Sequence, residues 1–257
     1  MAERRLAASA ITKRKGAPFP VVTAYDTPFA GFAETAGIDV LLVGDSLGNN
    51  VLGHPGTTPV DLIDMERHGA AVVRGTHRAH VIVDMPFGAY EASNEHAVHS
   101  AVRLIKHTGG SSVKLEGGLS SAPRIAAIVG ARIPVCGHIG VLPQTAGLTS
   151  GFGMKRRREA LMEDARALEA AGAFAIVLEM VDRDVAAEIT AALSIPTIGI
   201  GSGPMCDAQV LVLHDVLGMY ANPPSFVRRF ADLATVATDG LRAYAEAVRG
   251  QEFPPRD

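Results

Sequence analysis

The stretch Val40–Gly48 reads VLLVGDSLG: four apolar residues run unbroken into a glycine and then into Asp45 and Ser46. Continuous rather than alternating apolarity marks a strand covered on both faces, as in a parallel sheet. A carboxylate at the end of such a strand is costly unless it is paired or holds a metal ion, so Asp45 is either a loop residue or one ligand of a site. The pattern recurs. With PVVTAYD (Pro20–Asp26), VIVDMP (Val81–Pro86), SVKLEGG (Ser112–Gly118), PVCGHIG (Pro134–Gly140), FAIVLEM (Phe174–Met180), PTIGIGSG (Pro196–Gly203) and QVLVLHD (Gln209–Asp215) it makes eight apolar runs. Amphipathic, helix-like stretches such as NEHAVHSAVRLIKHTG and EALMEDARALEAAGA lie between most of them. That alternation over about 250 residues is the arithmetic of an α/β chain folded as a (β/α)8 TIM barrel. A doubly wound open sheet has the same local pattern and competes with it. No linker or composition break divides the chain, so one domain over 1–257 is expected. Within it, 1–18 is read as an N-terminal arm or helix and 224–250 as a C-terminal helical extension.

Lining up the exits of the runs concentrates the ionisable residues at one end. Run one ends in Tyr25 and Asp26, run two in Asp45 and Ser46, run three in Asp84. Run four carries Lys114 and Glu116, two apart and so on one face. His138, Glu179, and His214 with Asp215 follow in runs five, six and eight. In a barrel these ends converge on the mouth where active sites are built, although any single acid there also suits a helix N-cap. Asp45, Asp84 and Glu116 form an oxygen-rich set without a cysteine partner, which selects Mg2+ rather than zinc. Lys114 suits either an ion pair with these acids or a substrate carboxylate. His138 is read as a neutral hydrogen-bonding imidazole near the mouth or a further ligand. Glu179, directly after apolar AIVL, suits a general base. A metal, a cation and a free carboxylate are the parts needed to enolise a 2-oxo acid and make or break a C–C bond at the adjacent carbon.

The bulk properties exclude other classes. The net charge of −3 and the absence of Trp argue against a nucleic-acid or acidic membrane partner. No apolar run approaches the roughly 20 residues a membrane span requires. Two cysteines in 257 residues fit a reduced, cytoplasmic setting.

Written out in order, TAYD (Thr23–Asp26), LLVGDSLG (Leu41–Gly48), GHPGTTPV (Gly53–Val60), DMPF (Asp84–Phe87), VKLEGG (Val113–Gly118), PVCGHIGVLPQ (Pro134–Gln144), IPTIGIGSG (Ile195–Gly203) and VLVLHDVLG (Val210–Gly218) resemble the ketopantoate hydroxymethyltransferase family. The likeness covers most of the chain, and VGDSLG, KLEGG and CGHIG together are specific. It implies a barrel of the phosphoenolpyruvate/pyruvate superfamily type and transfer of a hydroxymethyl group from 5,10-methylenetetrahydrofolate to 3-methyl-2-oxobutanoate. It also implies one Mg2+ per subunit on Asp45 and Asp84, with Glu116 nearby through water. Ser46, Lys114 and His138, beside the metal ligand Asp84, would contact the 2-oxo acid, and Glu179 would deprotonate its C3. A cytoplasmic homodecamer feeding pantothenate and coenzyme A synthesis completes the expectation. The alternatives are a divergent member acting on another 2-oxo acid, a Mg2+-dependent C–C lyase or mutase of the same superfamily, and a barrel kept only for assembly. The lyases use a loop cysteine as acid, in a KKCGH-type stretch that this chain lacks. The chain departs from the family after PQTAGLTSGFG, where MKRRREALMEDARALEAAGA follows, and at DAQ (Asp207–Gln209). The basic run Lys155–Arg158 is read as a solvated helix start or as a contact for a folate polyglutamate tail.

Overall fold

Each apolar run becomes a strand, and the strands are shorter than the runs. In the computed structural model, which describes residues 5–148, 151–220 and 222–255, they are β1 (Phe19–Thr23), β2 (Val40–Val43), β3 (His80–Asp84), β4 (Ser112–Lys114), β5 (Val135–Gly140), β6 (Ala175–Glu179), β7 (Thr197–Ile200) and β8 (Ala208–Leu211). They close in sequence order into a barrel, which decides against the open sheet. The chain divides into two compact units, Met1–Val210 and Leu211–Asp257.

Inside the barrel, alternate residues of the strands form one core. Phe19, Val21, Val40, Leu42, Ile82, Cys136, Ala175, Val177, Ile198, Ala208 and Val210 pack together with Ile11 of the N-terminal helix Ala8–Thr12. That helix belongs to the base of the barrel. His80 bonds through Nδ1 to the Leu6 carbonyl and through Nε2 to Ser112 Oγ, 2.9 Å each. Burial pulls the His80 imidazole down to about 4, so it is a neutral structural group.

The crossover helices start and stop where local chemistry dictates. Leu62–Arg74 begins in a capping box of Asp61 and Asp64. Asn94–Thr108 is capped by Ser93 and ends at Gly109, whose φ of 72° is the left-handed turn that glycine tolerates. Two ionisable exits lie elsewhere than expected. Asp26 follows the end of β1 and caps the helix Thr27–Thr35, accepting from the Phe29 N–H. His214 and Asp215 are not at a strand exit: β8 stops at Leu211, and both lie in a short helix, Leu213–Leu217, of the second unit. In that unit the helix Leu233–Arg249 carries no buried residue.

Asp207, on the approach to β8, ties the base together. Its carboxylate accepts from the N–H groups of Gly16 (2.7 Å) and Thr197 (2.8 Å) and pairs with Lys15 Nζ at 2.9 Å. Burial pushes this carboxyl up, but the Thr197 and Gly16 N–H groups and the Lys15 ammonium outweigh it and hold it below the usual range. A carboxylate depressed in the folded state contributes stability above its unfolded pKa of about 3.9, lost as pH falls through the lower folded value. Asp207→Asn is therefore expected to lose roughly 2–3 kcal/mol near neutral pH, and the gap to wild type should narrow below about pH 4. Thermal melts across that range test this; an unchanged midpoint at neutral pH refutes it.

Candidate active site

The same two-residue period that packs the barrel core builds the site one layer higher. Asp84 stands two residues beyond Ile82, His138 two beyond Cys136 and Glu179 two beyond Val177, each on the face of its strand that forms the core. The register sets Asp84 beside Lys114 across β3 and β4, and Gly140 beside Glu179 across β5 and β6. Only glycine fits at 140. Its φ is 101°, and a Cβ there would meet the Glu179 carbonyl oxygen at 2.1 Å, so the strand end carrying Glu179 lies directly against β5. Asp45 and Ser46 lead from β2 into a one-turn helix, Leu47–Asn50. Glu116 lies past the end of β4 rather than on it, because the chain bends at Gly117, where φ is 116°. It nevertheless remains buried.

These residues meet. The Asp45 N–H donates to Asp84 Oδ2 at 3.1 Å. Lys114 Nζ lies 3.1 Å from Asp84 Oδ1 and 3.4 Å from His138 Nδ1. His138 Nδ1 is also 3.6 Å from Glu116 Oε1, while Nε2 faces Glu179 Oε2 at 3.3 Å. Because an ammonium can only donate, Nδ1 accepts and Nε2 carries the ring hydrogen toward Glu179. Ser46 sits at one side, its Oγ 2.9 Å from the buried Tyr25 hydroxyl. Burial separates the roles: the side chains of Asp84, Lys114, Glu116 and His138 are at most 5% exposed, whereas that of Glu179 is 21% exposed. Glu179 is the most exposed acid of this cluster.

Four carboxylates face one ammonium here, and burial makes that imbalance expensive. Burial raises the Asp45, Asp84 and Glu116 carboxyls, Asp84 to about 7, against the opposing pull of Lys114. Burial would lower Lys114, but Asp84, Glu116 and Asp45 hold its ammonium above the ordinary value. His138 is lowered by burial and by Lys114, so it stands neutral. Two buried atoms at the centre, Asp84 Oδ1 and His138 Nε2, face only charged neighbours, Lys114 and Glu179, in imperfect hydrogen-bond geometry, which leaves room for a further partner.

Among the described residues, no three His, Cys, Asp or Glu side chains are grouped as a ready-made metal cage. The donor set nonetheless fits Mg2+, which takes one or two carboxylates and fills its remaining positions with water and substrate oxygens. Asp45 and Asp84 adjoin, excess buried negative charge surrounds them, and Asp84 Oδ1 has the Lys114 ammonium as its one close partner.

Two site residues carry no strand-end signal. Gln144, in the turn of helix Pro143–Ala146, is buried and donates through Nε2 to Asp45 Oδ2 at 2.7 Å. Tyr90, after β3, donates its hydroxyl to Gln144 Oε1 at 2.5 Å. The departing stretch also has a defined place. Lys155 pairs with Val181 just past Glu179, its N–H donating to the Met180 carbonyl and its carbonyl accepting from Asp182. Arg158, opening the helix Arg158–Ala170, pairs with Glu188 at 2.6 Å.

Among solved structures, the chain is similar to a 2,3-dimethylmalate lyase of the PEP mutase/isocitrate lyase superfamily: TM-score 0.64, 17% identity, 99% of this chain and 91% of that one. It is also similar to a phosphonopyruvate hydrolase solved with oxalate and Mg2+: TM-score 0.63, 14% identity, 98% and 90%. At these identities the likeness establishes the fold alone, a TIM barrel. Sequence relatives are much nearer. The chain is 50% identical over 247 residues to a 3-methyl-2-oxobutanoate hydroxymethyltransferase of Carboxydothermus hydrogenoformans, covering 94% of this chain and 90% of that one. It is 49% identical over 244 residues to the enzyme of the same name from Pyrobaculum islandicum, covering 93% of each. A family model for ketopantoate hydroxymethyltransferase matches residues 5–256. On a match that runs nearly end to end, the chain belongs to the ketopantoate hydroxymethyltransferase family and is an enzyme of that type.

Proposed function

We propose that the protein transfers a hydroxymethyl group from 5,10-methylenetetrahydrofolate to 3-methyl-2-oxobutanoate, giving 2-dehydropantoate and tetrahydrofolate. The observation that carries this reading is the pairing of one partly exposed carboxylate, Glu179, with a buried cationic and acidic floor of Lys114, Asp84 and Asp45 beneath it. Lys114 and Ser46 bind the substrate carboxylate, and His138 contacts the 2-oxo group as a neutral donor. Glu179 takes the C3 hydrogen. The carbon left behind forms its new C–C bond to the folate methylene, whose two C–N bonds break; water supplies the hydroxyl, and the nitrogens of the released tetrahydrofolate take up two hydrogens, one equivalent to that removed from C3 and one from the water. Asp45 and Asp84 would hold one Mg2+, with Glu116 reaching it through water; when bound, the ion acts as a Lewis acid that acidifies the C3 hydrogen. The proposal includes assembly as a homodecamer in the cytoplasm, on the route to pantothenate and coenzyme A.

A C–C lyase reading finds less support. Cys136 is buried in the barrel core, its thiol pushed up to about 12 by burial, so it is no substitute for a loop cysteine acid at the mouth.

The test separates deprotonation from transfer. Purified protein with Mg2+ and 3-methyl-2-oxobutanoate in D2O, without folate, is expected to exchange the C3 hydrogen, followed by proton NMR. Chelation with EDTA should slow exchange by at least about 100-fold, since the Lewis-acid contribution amounts to several kcal/mol. Absence of exchange with any branched 2-oxo acid would sink the proposal.

A further inference from the structure

The buried polar groups behind the carboxylates are wired in one direction. The Glu116 backbone N–H can only donate, and it lies 3.3 Å from the Tyr90 hydroxyl, which must accept it. A phenol has a single hydrogen, so Tyr90 spends it on Gln144 Oε1, at 2.5 Å. That fixes which way the Gln144 amide faces. Its two Nε2 hydrogens then point at two acceptors, the Met85 carbonyl at 2.9 Å and Asp45 Oδ2 at 2.7 Å. The Gln144 backbone N–H donates to Glu116 Oε2 at 3.2 Å, and Thr58 Oγ1 donates to the Gln144 carbonyl at 3.1 Å. Every polar group of Gln144 is used, at 1% exposure.

We propose that Tyr90 and Gln144 are positioning residues, a one-way hydrogen-bond relay that holds the Asp45 carboxylate in the orientation from which it binds a divalent cation. The inference rests on the reading of Asp45 and Asp84 as ligands. The amide bond to Oδ2 pins one oxygen of the Asp45 carboxylate and so fixes its rotation. Burial, with the carboxylates of Glu116 and Glu91 adding to it, raises the Tyr90 phenol well above its usual range, so the hydrogen that sets the relay stays in place. An amide in the opposite orientation would face its carbonyl to Asp45 and lose both donated bonds. The relay also crosses the chain: Gln144 and Asp45 are 99 positions apart, so the turn after β5 reports directly on the exit of β2.

Mn2+ alone, without substrate, is the probe. Free Mn2+ is followed by electron paramagnetic resonance while protein is titrated, and the thermal midpoint of the metal-free protein is measured in parallel. Wild type is expected to bind one Mn2+ per chain, and Asp45→Asn to lose it. Gln144→Met keeps the volume and removes the donors; partners that orient ligands are worth about 10–100-fold in metal affinity, and a loss in that range is expected. Tyr90→Phe removes a single oxygen, keeps the ring, and should weaken binding about tenfold; it decides the matter if Gln144→Met does not fold. A lowered melting midpoint with Mn2+ affinity within twofold of wild type in both variants overturns the relay and leaves the ligand assignment standing. No Mn2+ binding by wild type removes the ligand assignment itself, and the relay with it.

Discussion

Glu179→Gln is expected to abolish measurable C3 exchange while substrate binding stays within a few-fold of wild type. The amide keeps the size and the contact with His138 Nε2, 3.3 Å away in the wild type, but cannot take a proton. A positioned base contributes roughly 10²–10⁴-fold, and because Glu179 is the most exposed of the clustered acids, at 21% against 2–3% for Asp84 and Glu116, the loss should lie at the upper end. Lys114, the proposed carboxylate contact, is paired to Asp84 and not to Glu179. The effect should therefore fall on kcat rather than KM. An exchange rate within tenfold of wild type would show that another group removes the hydrogen.

Lys114→Met should be the most damaging single change to the fold. The ammonium lies against Asp84 Oδ1 at 3.1 Å with both side chains at most 5% exposed, and Asp45 and Glu116 also act on it. Removing the one cation leaves an uncompensated buried acidic cluster, a loss of about 3–5 kcal/mol. For a chain of this size that is a fall of roughly 6–20 °C in melting temperature. Mg2+ should recover part of this in the variant, because a divalent cation supplies the positive charge that Lys114 no longer does. Melts with and without Mg2+ read both effects. A variant within about 1 kcal/mol of wild type would mean that the carboxylates are neutralised without Lys114, as the upward shift of Asp84 allows in part.

The strands and the main crossover helices were written in the sequence, because a strand covered on both faces needs an unbroken apolar run and a helix needs its cap and its amphipathic face. NEHAVHSAVRLIKHTG became Asn94–Thr108 between Ser93 and Gly109. The meeting of Asp45, Asp84, Lys114, His138 and Glu179 in space was legible too: parallel strands in a βα unit all exit at one end, so polar residues at their C-terminal ends converge whatever the closure. Tertiary structure alone decided the rest. Closure into a barrel depends on β8 meeting β1 around the ring, which no local period encodes. Sequence could not separate Asp26, spent on a helix cap, or His214 and Asp215, carried past the end of β8 into a helix, from the acids and histidine of the site. Of two buried strand histidines, His80 seals the base of the barrel and His138 stands at its mouth. Gln144 and Tyr90 gave no signal, since an amide and a phenol acquire their roles only from what they touch, and their contacts span 99 and 54 positions of chain. Hydrophobic periodicity is a property of neighbours along the chain; hydrogen-bond direction and the balance of buried charge are properties of neighbours in space.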